Sequence, residues 1–211
     1  MHWRDEGGIR LPVACWRTGP GYRMISNGVL GGGIGAREWV LNAQVPAEYA
    51  RTDPARHLTE LADRLGLTGP GAGMLTAAQV TDLVTRSDEG AEVAVTAGLR
   101  VPTWAAAPAD AADADLAPGT VNIIVEVPVP LTDAALVNAV ITVTEAKTQA
   151  VLDAGFAGTG TATDAVCVAA PVSPDAAAEA FAGPRSAWGA RIARSVYAAV
   201  LVGATRYRAR L

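Results

Sequence analysis

Lysine, histidine and cysteine are nearly missing from this 211-residue chain, and each scarcity narrows what it can do. Lys147 stands alone against 16 arginines, histidine occurs only at His2 and His57, and cysteine only at Cys15 and Cys167. Two cysteines so far apart offer neither a disulfide framework nor the spacing of a zinc site, so a reducing, cytoplasmic setting with no metal is expected. His57 falls in the helical pattern "DPARHLTELADRLGL", where a lone histidine reads as a surface or packing residue. Any hydrolytic mechanism is therefore expected to work without histidine. The aliphatic run "VYAAVLVGA" is too short to span a bilayer, and "MHWRDEGGIR" lacks the charged-then-apolar order of a signal peptide, so no membrane is expected. A net charge of -4 argues against nucleic acid as a partner, and the short basic "RYRAR" reads as a solvated helix end.

Half of the residues are hydrophobic, enough for one core of ordinary size over residues 1–211. "LPVACW", "YRMIS" and "REWVLNAQV" read as strands, with the glycine-rich "NGVLGGGIG" between the last two. Pro54 opens a helix to about Leu65 behind Asp53 as N-cap. The turn "SDEG" and the alternating "EVAVTAG" predict a hairpin. "PTWAAAPADAADADLAPG" reads as a mobile loop rather than a domain linker, because the strongly apolar strand "GTVNIIVEV" after it needs the same core. Thr132 caps a long helix that runs to about Ala154 and stops at Gly155, and "SAWGARIARSVYAAVLVGATRYRARL" reads as a second long helix. The fold class is therefore α+β: one domain with a mixed, largely antiparallel sheet packed against long helices, in which the strand–helix–strand unit over 119–170 supplies one parallel pair.

Polar residues cluster in three places. Asn138, Thr142, Glu145 and Gln149 form one stripe on the first long helix, which either faces water or walls a site. Glu145 and Lys147 lie roughly 200° apart on a straight helix and cannot enter one pocket together. Lys147 matters because lysine, unlike arginine, can lose its proton near neutral pH; the alternative is a plain surface charge. In "GTGTATD", alternation would put Thr159, Thr161 and Thr163 on one side of an extended segment beside reachable N–H groups, with Asp164 to orient a hydroxyl or act as base; a threonine-stabilised turn is the other reading. "SNGVLGGGIG" lacks the glycine spacing of a dinucleotide site and is followed by a strand, so it reads as a loop allowing close approach of a bulky ligand. Asn122, alone among Val and Ile on its strand, must find hydrogen bonds, with a structural role slightly favoured.

Taken in order, "MLTAAQV", "VAVTAGL", "GTVNIIV", "LTDAALVNAVITVTEAKTQAVLDAG", "GTGTATDAVCVAA" and "FAGPRSAWGARIARSVYAAV" resemble the adenosylcobinamide amidohydrolase (CbiZ-type) family over roughly residues 70 to 205, with "SNGVLGGG" as an N-terminal counterpart. The chain departs from the family's pattern at Ala162, and the Ala/Pro/Asp loop near 105 to 118 reads as an insertion that would cover the corrinoid. The resemblance implies a corrinoid-salvage enzyme that hydrolyses the amide joining aminopropanol to the corrin ring, with adenosylcobinamide as substrate, adenosylcobyric acid as product and no cofactor. On it the expected catalytic residues are Glu145 or Asp164 as base and Lys147 as acid or electrostatic stabiliser, with Thr161, Thr163 or Ser26 as a rival nucleophile. The expected substrate-binding residues are Ser26, Asn27, Gly31, Gly32, Thr76, Thr96, Asn122 and Thr159. The competing classes are a non-catalytic corrinoid-binding module and an interaction protein whose C-terminal helix mediates a homo-oligomer.

Overall fold

The computed structural model describes residues 1–109 and 119–211. Its strands form two sheets rather than the one expected. Sheet A runs β1 (His2–Glu6), β2 (Ile9–Arg17), β5 (Trp39–Gln44) and β6 (Gly71–Thr76). Sheet B runs β4 (Gly33–Ala36), β3 (Tyr22–Ser26), β10 (Ala165–Pro171), β9 (Val121–Glu126), β8 (Ala91–Ala97) and β7 (Val84–Asp88). The pairing is largely antiparallel, as predicted. β9–β10 supplies the expected parallel pair, and β5–β6 adds a second.

Alternation along the strands explains why there are four layers. On β9, Val121, Ile123 and Val125 face the helices α2 (Asp133–Asp153) and α3 (Ala187–Arg208), whereas Ile124 joins the core between the sheets. On β5, Leu41 and Ala43 pack on helix α1 (Pro54–Arg64), while Val40 faces sheet B. Both faces of each central strand are thus covered, which is why these segments read as nearly continuous apolar runs. The layer order is α1, sheet A, sheet B, then α2 and α3. Deleting a core side chain as large as the fully buried Leu136 would cost about 2–5 kcal/mol.

Local chemistry sets the ends of these elements. The β7–β8 hairpin turns through Glu89 (φ 43°) and Gly90 (φ 96°), the left-handed pair that a two-residue turn between right-twisted strands requires. Thr132 caps α2 by accepting from the Ala135 N–H, and Gly155 (φ 80°) ends the turn after it. Asp53 occupies the N-cap position of α1 but makes no capping bond; its carboxylate pairs with Arg51 instead. The C-terminal helix is not free-standing: Ile192, Val196, Ala199 and Val200 on one face are buried in the core beneath sheet B. Its basic tail is also engaged: Arg208 donates to the Ala154 carbonyl and Arg210 pairs with Asp82. Residues 110–118 of the anticipated corrinoid-covering loop lie outside the described residues. No described helix is long and apolar enough to cross a membrane.

Candidate functional site

Lys147 is not a surface charge. It lies on the buried stripe of α2 with Leu136, Ala139, Val143, Ala146, Ala150 and Val151, and its side chain is 10% exposed. A buried ammonium is costly unless paired. Its partner is Asp164, also 11% exposed, in the turn that precedes β10. Asp164 Oδ2 accepts from Lys147 Nζ at 2.6 Å and from the Thr161 N–H at 3.1 Å. Asp164 Oδ1 accepts from Thr161 Oγ1 at 2.5 Å and from the Val121 N–H at 2.9 Å. All four acceptor positions of the carboxylate are thereby filled, and Thr161 is the one partner that contributes a hydroxyl. Gly160 makes room for this arrangement, because a Cβ there would collide with both Asp164 Oδ2 and Lys147 Nζ.

The segment "GTGTATD" is a turn, not an extended strand, so its threonines diverge instead of sharing a face. Thr159 turns to the loop after β8, donating to the Thr103 carbonyl and accepting from the Ala105 N–H. Thr161 goes to Asp164. Thr163 Oγ1 donates to the Gly119 carbonyl at 3.1 Å, which leaves the Thr120 hydroxyl as donor in the 2.7 Å bond between the two threonines. Two of the N–H groups anticipated as bare are spent within the protein, that of Thr159 on the Thr103 carbonyl and that of Thr161 on Asp164.

Asp164, Ala162 and Thr163 line a cleft of about 430 Å³ with Thr120, Asn27, Gly28, Val29, Tyr49 and Thr76. The cleft opens where β5 and β6 of sheet A end and β9 and β10 of sheet B begin. Asn27 extends the β3–β10 ladder with its side chain, donating to the Asp164 carbonyl and accepting from the Val166 N–H. This ties the glycine-rich loop to the Asp164 turn. Thr76 Oγ1 accepts from the Ala78 N–H, shaping the opposite wall.

Several expected residues are not brought to this cleft. Glu145 is exposed on the far side of α2, in a shallow depression with Gln149, Arg194 and Tyr197. The stripe it belongs to is split: Thr142 is buried and donates to the Ala182 carbonyl, and Asn138 accepts from the Ala182 N–H. Gly31 and Gly32 are not among the residues that line the cleft, and backbone lies close to both. A Cβ on Gly31 would strike the Gly71 carbonyl of β6, and Leu30 bridges to Gly73. Ser26 accepts from the Gly28 N–H and contacts no base among the described residues.

Asn122 and Thr96 are buried between the sheets rather than in the cleft. Asn42 donates to Thr96 Oγ1 at 2.9 Å, and Asn122 donates to Asn42 Oδ1 at 2.9 Å and to the Leu75 carbonyl at 3.0 Å. Asn122 Oδ1 has no partner among the described residues. This network stitches sheet A to sheet B directly behind the cleft, in line with the structural role favoured for Asn122. Sequence reading missed Asn42, Thr120 and Tyr49. Asn42, a polar residue in the apolar run "WVLNAQV", carried the same signal as Asn122.

Electrostatics separate the remaining candidates. Full burial pushes the Cys167 thiol up to about 12, so it is no nucleophile. Burial also holds the His57 imidazole below its ordinary value, against an opposing pull from Glu6. A larger cavity of about 490 Å³ lies at the other end of the inter-sheet core, lined by Trp16, Thr18, Glu92 and Glu126. Its Glu126 accepts from the Tyr22 phenol, a bond that, with burial, raises Tyr22 to about 12. No group of three His, Cys, Asp or Glu side chains suited to a metal occurs among the described residues.

A carboxylate on a residue that lines an open cleft thus holds an ammonium on one oxygen and a hydroxyl on the other, the groups that acid–base and nucleophilic chemistry draw on. The adenosylcobinamide amidohydrolase family profile matches residues 3–211. The adenosylcobinamide amidohydrolase of Methanosarcina mazei is 30% identical over 189 residues, covering 86% of this chain and 90% of that protein. The chain belongs to the adenosylcobinamide amidohydrolase family, and with it to the hydrolases of amide bonds.

Proposed function

We propose that this enzyme hydrolyses the amide between the corrin ring and aminopropanol in adenosylcobinamide, releasing adenosylcobyric acid and the amine for corrinoid salvage in the cytoplasm. The corrinoid is then substrate, and no resident cofactor is required. The observation that carries the reading is the carboxylate of Asp164, a residue of the cleft lining, with Lys147 on one oxygen and on the other the hydroxyl of Thr161, the neighbour of the lining residue Ala162. With the carboxylate's acceptor positions filled, the hydroxyl it activates is that of Thr161 rather than a free water.

Thr161 Oγ1 gives its proton to Asp164 and attacks the amide carbonyl carbon. The C–N bond breaks as the nitrogen takes a proton through the Asp164–Lys147 pair, leaving a threonyl ester and free aminopropanol. Water then cleaves the ester, giving the carboxylic acid and restoring the hydroxyl. Lys147 is the counter-charge of the carboxylate and supplies positive charge beside the reacting group. Thr163 and Thr120 contribute hydroxyl oxygens to the cleft wall without a base of their own.

The test is incubation of purified protein with adenosylcobinamide, with and without chelator, followed by chromatography and mass analysis. Release of adenosylcobyric acid and aminopropanol in both arms is expected. A shift of the corrin absorption spectrum without release would replace this reading by a binding module. Neither binding nor release would remove the corrinoid as ligand.

A further inference from the structure

The cleft has a second polar device that the reaction above does not use. Tyr49, between β5 and α1, lines the cleft, and its hydroxyl lies 3.0 Å from His57 Nδ1 with the two rings stacked 5.6 Å apart. His57 is 3% exposed on the buried face of α1, and its Nε2 lies 3.2 Å from Glu6 Oε1 on β1. Glu6 Oε2 accepts from Arg4 Nε at 2.9 Å, and Arg4 Nη2 donates to the Gln44 carbonyl at 2.6 Å, the last residue of β5. Two elements, α1 and β1, thus spend a buried histidine, a carboxylate and an arginine on holding one phenol at the cleft.

The hydrogen-bond inventory fixes the direction of this chain. A carboxylate only accepts, so His57 Nε2 carries the proton and gives it to Glu6. In the neutral ring Nδ1 is then an acceptor, and the Tyr49 O–H must donate to it. The phenol proton is committed, so the oxygen's remaining lone pair is what Tyr49 offers the cleft.

We propose that Tyr49 is a specificity-determining residue whose oxygen accepts a hydrogen bond from an N–H or O–H donor of the substrate, and that His57 and Glu6 are its positioning residues. The inference rests on the reading of this cleft as the amidohydrolase site. The donor chemistry it fits is a secondary-amide N–H or the hydroxyl of an amino-alcohol arm. Protonation of His57 would reverse the device, because Nδ1–H would donate to Tyr49 and the phenol would turn its proton outward. Burial lowers the His57 value and raises that of Tyr49, so both stay in the neutral pairing around neutral pH. The charged groups that face the pair are Arg4 and Glu6 from β1 and Arg51 and Asp53 ahead of α1.

The experiment is steady-state kinetics of adenosylcobinamide hydrolysis by wild type and Tyr49→Phe across pH. The expected result is a KM raised about tenfold in Tyr49→Phe with kcat nearly unchanged, the loss of one substrate hydrogen bond. The wild-type KM should rise as pH falls through the lowered His57 value, and this acid limb should vanish in Tyr49→Phe. An unchanged KM and pH profile, with only a lower melting temperature, would overturn the proposal and leave the pair structural. Should Tyr49→Phe fail to fold, a wild-type KM flat between about pH 5 and 8 would overturn it equally. Wild-type turnover is measured first: its absence fails the functional reading and this inference together, whereas turnover with an indifferent Tyr49→Phe fails this inference alone.

Discussion

Two strand–helix–strand units lie back to back here, and each buries one titratable side chain on the inner face of its helix. In β9–α2–β10 it is Lys147, bonded to Asp164; in β5–α1–β6 it is His57, bonded to Glu6 and Tyr49. Both crossovers put their polar groups at the same cleft, yet from opposite ends of their strands. Sheet A reaches it by the carboxyl ends of β5 and β6, the usual place for ligands in parallel pairs, and sheet B by the amino ends of β9 and β10. The difference is one of charge. The α2 unit holds a full ion pair whose carboxylate also takes two backbone N–H groups, while the α1 unit holds a neutral imidazole that only aligns a phenol. We read the first as the reacting machinery and the second as recognition.

The strongest way to break that division is Asp164→Asn, which keeps the shape of the carboxylate but cannot take the Thr161 proton. Amide hydrolysis is expected to fall by about 10²–10⁴-fold, read as aminopropanol release. Stability should suffer too, since Lys147 loses its counter-charge. Lys147→Met strands the carboxylate instead and is expected to cost about 3–5 kcal/mol in denaturant unfolding, part of which Asp164→Leu in the same chain should return. Additive losses in the double variant would show that the pair is not coupled.

Gly160→Ala probes the same pair without touching either charge. Its Cβ would have to displace both the Asp164 carboxylate and the Lys147 ammonium, so the reacting geometry should be lost while the apolar core stays intact. The expected outcome is a severe fall in kcat with a cooperative unfolding transition retained. Full turnover would mean that the pair tolerates displacement and does not set the rate.

Legibility in the sequence divides along the same line. The bounds of α2 could be read from the sequence, because Thr132 and Gly155 obey local rules of capping. The strand "YRMIS" and the β7–β8 hairpin followed from local pattern for the same reason. The assignment of Lys147 to the core needed the partner that justifies it, and Asp164 is contributed by a turn 17 residues on, after the helix has ended. Two sheets instead of one, and the role of Gly31 against Gly71, are likewise long-range facts. β1 escaped because "HWRDE" is polar and pairs only at a sheet edge. His57 looked like packing and does pack; its bond to Glu6 depends on that unforeseen strand.

The α1 unit can be sharpened through pH. With the folded His57 value below 6.5, the unfolded chain takes up the proton first as pH falls. Stability contributed by the neutral ring is therefore complete above about 6.5 and drains away as pH drops toward the folded value. Urea midpoints should decline over that window in wild type and less steeply in His57→Gln. Parallel curves would show that the ring is not held neutral by burial.

The smallest expected contrast lies where the two helices start. The Thr132 hydroxyl oxygen accepts from the Ala135 N–H, so Thr132→Ala should cost about 1 kcal/mol by leaving a first-turn donor unsatisfied. Asp53 holds the equivalent position on α1 but faces Arg51, an exposed pair that water and salt screen, and its side chain makes no capping bond to the helix. Asp53→Ala should therefore cost less than Thr132→Ala, and added salt should shrink the Asp53 effect while leaving that of Thr132 in place. Equal losses would mean that Asp53 caps α1 in solution, and the asymmetry between the two crossovers would then be confined to their buried pairs.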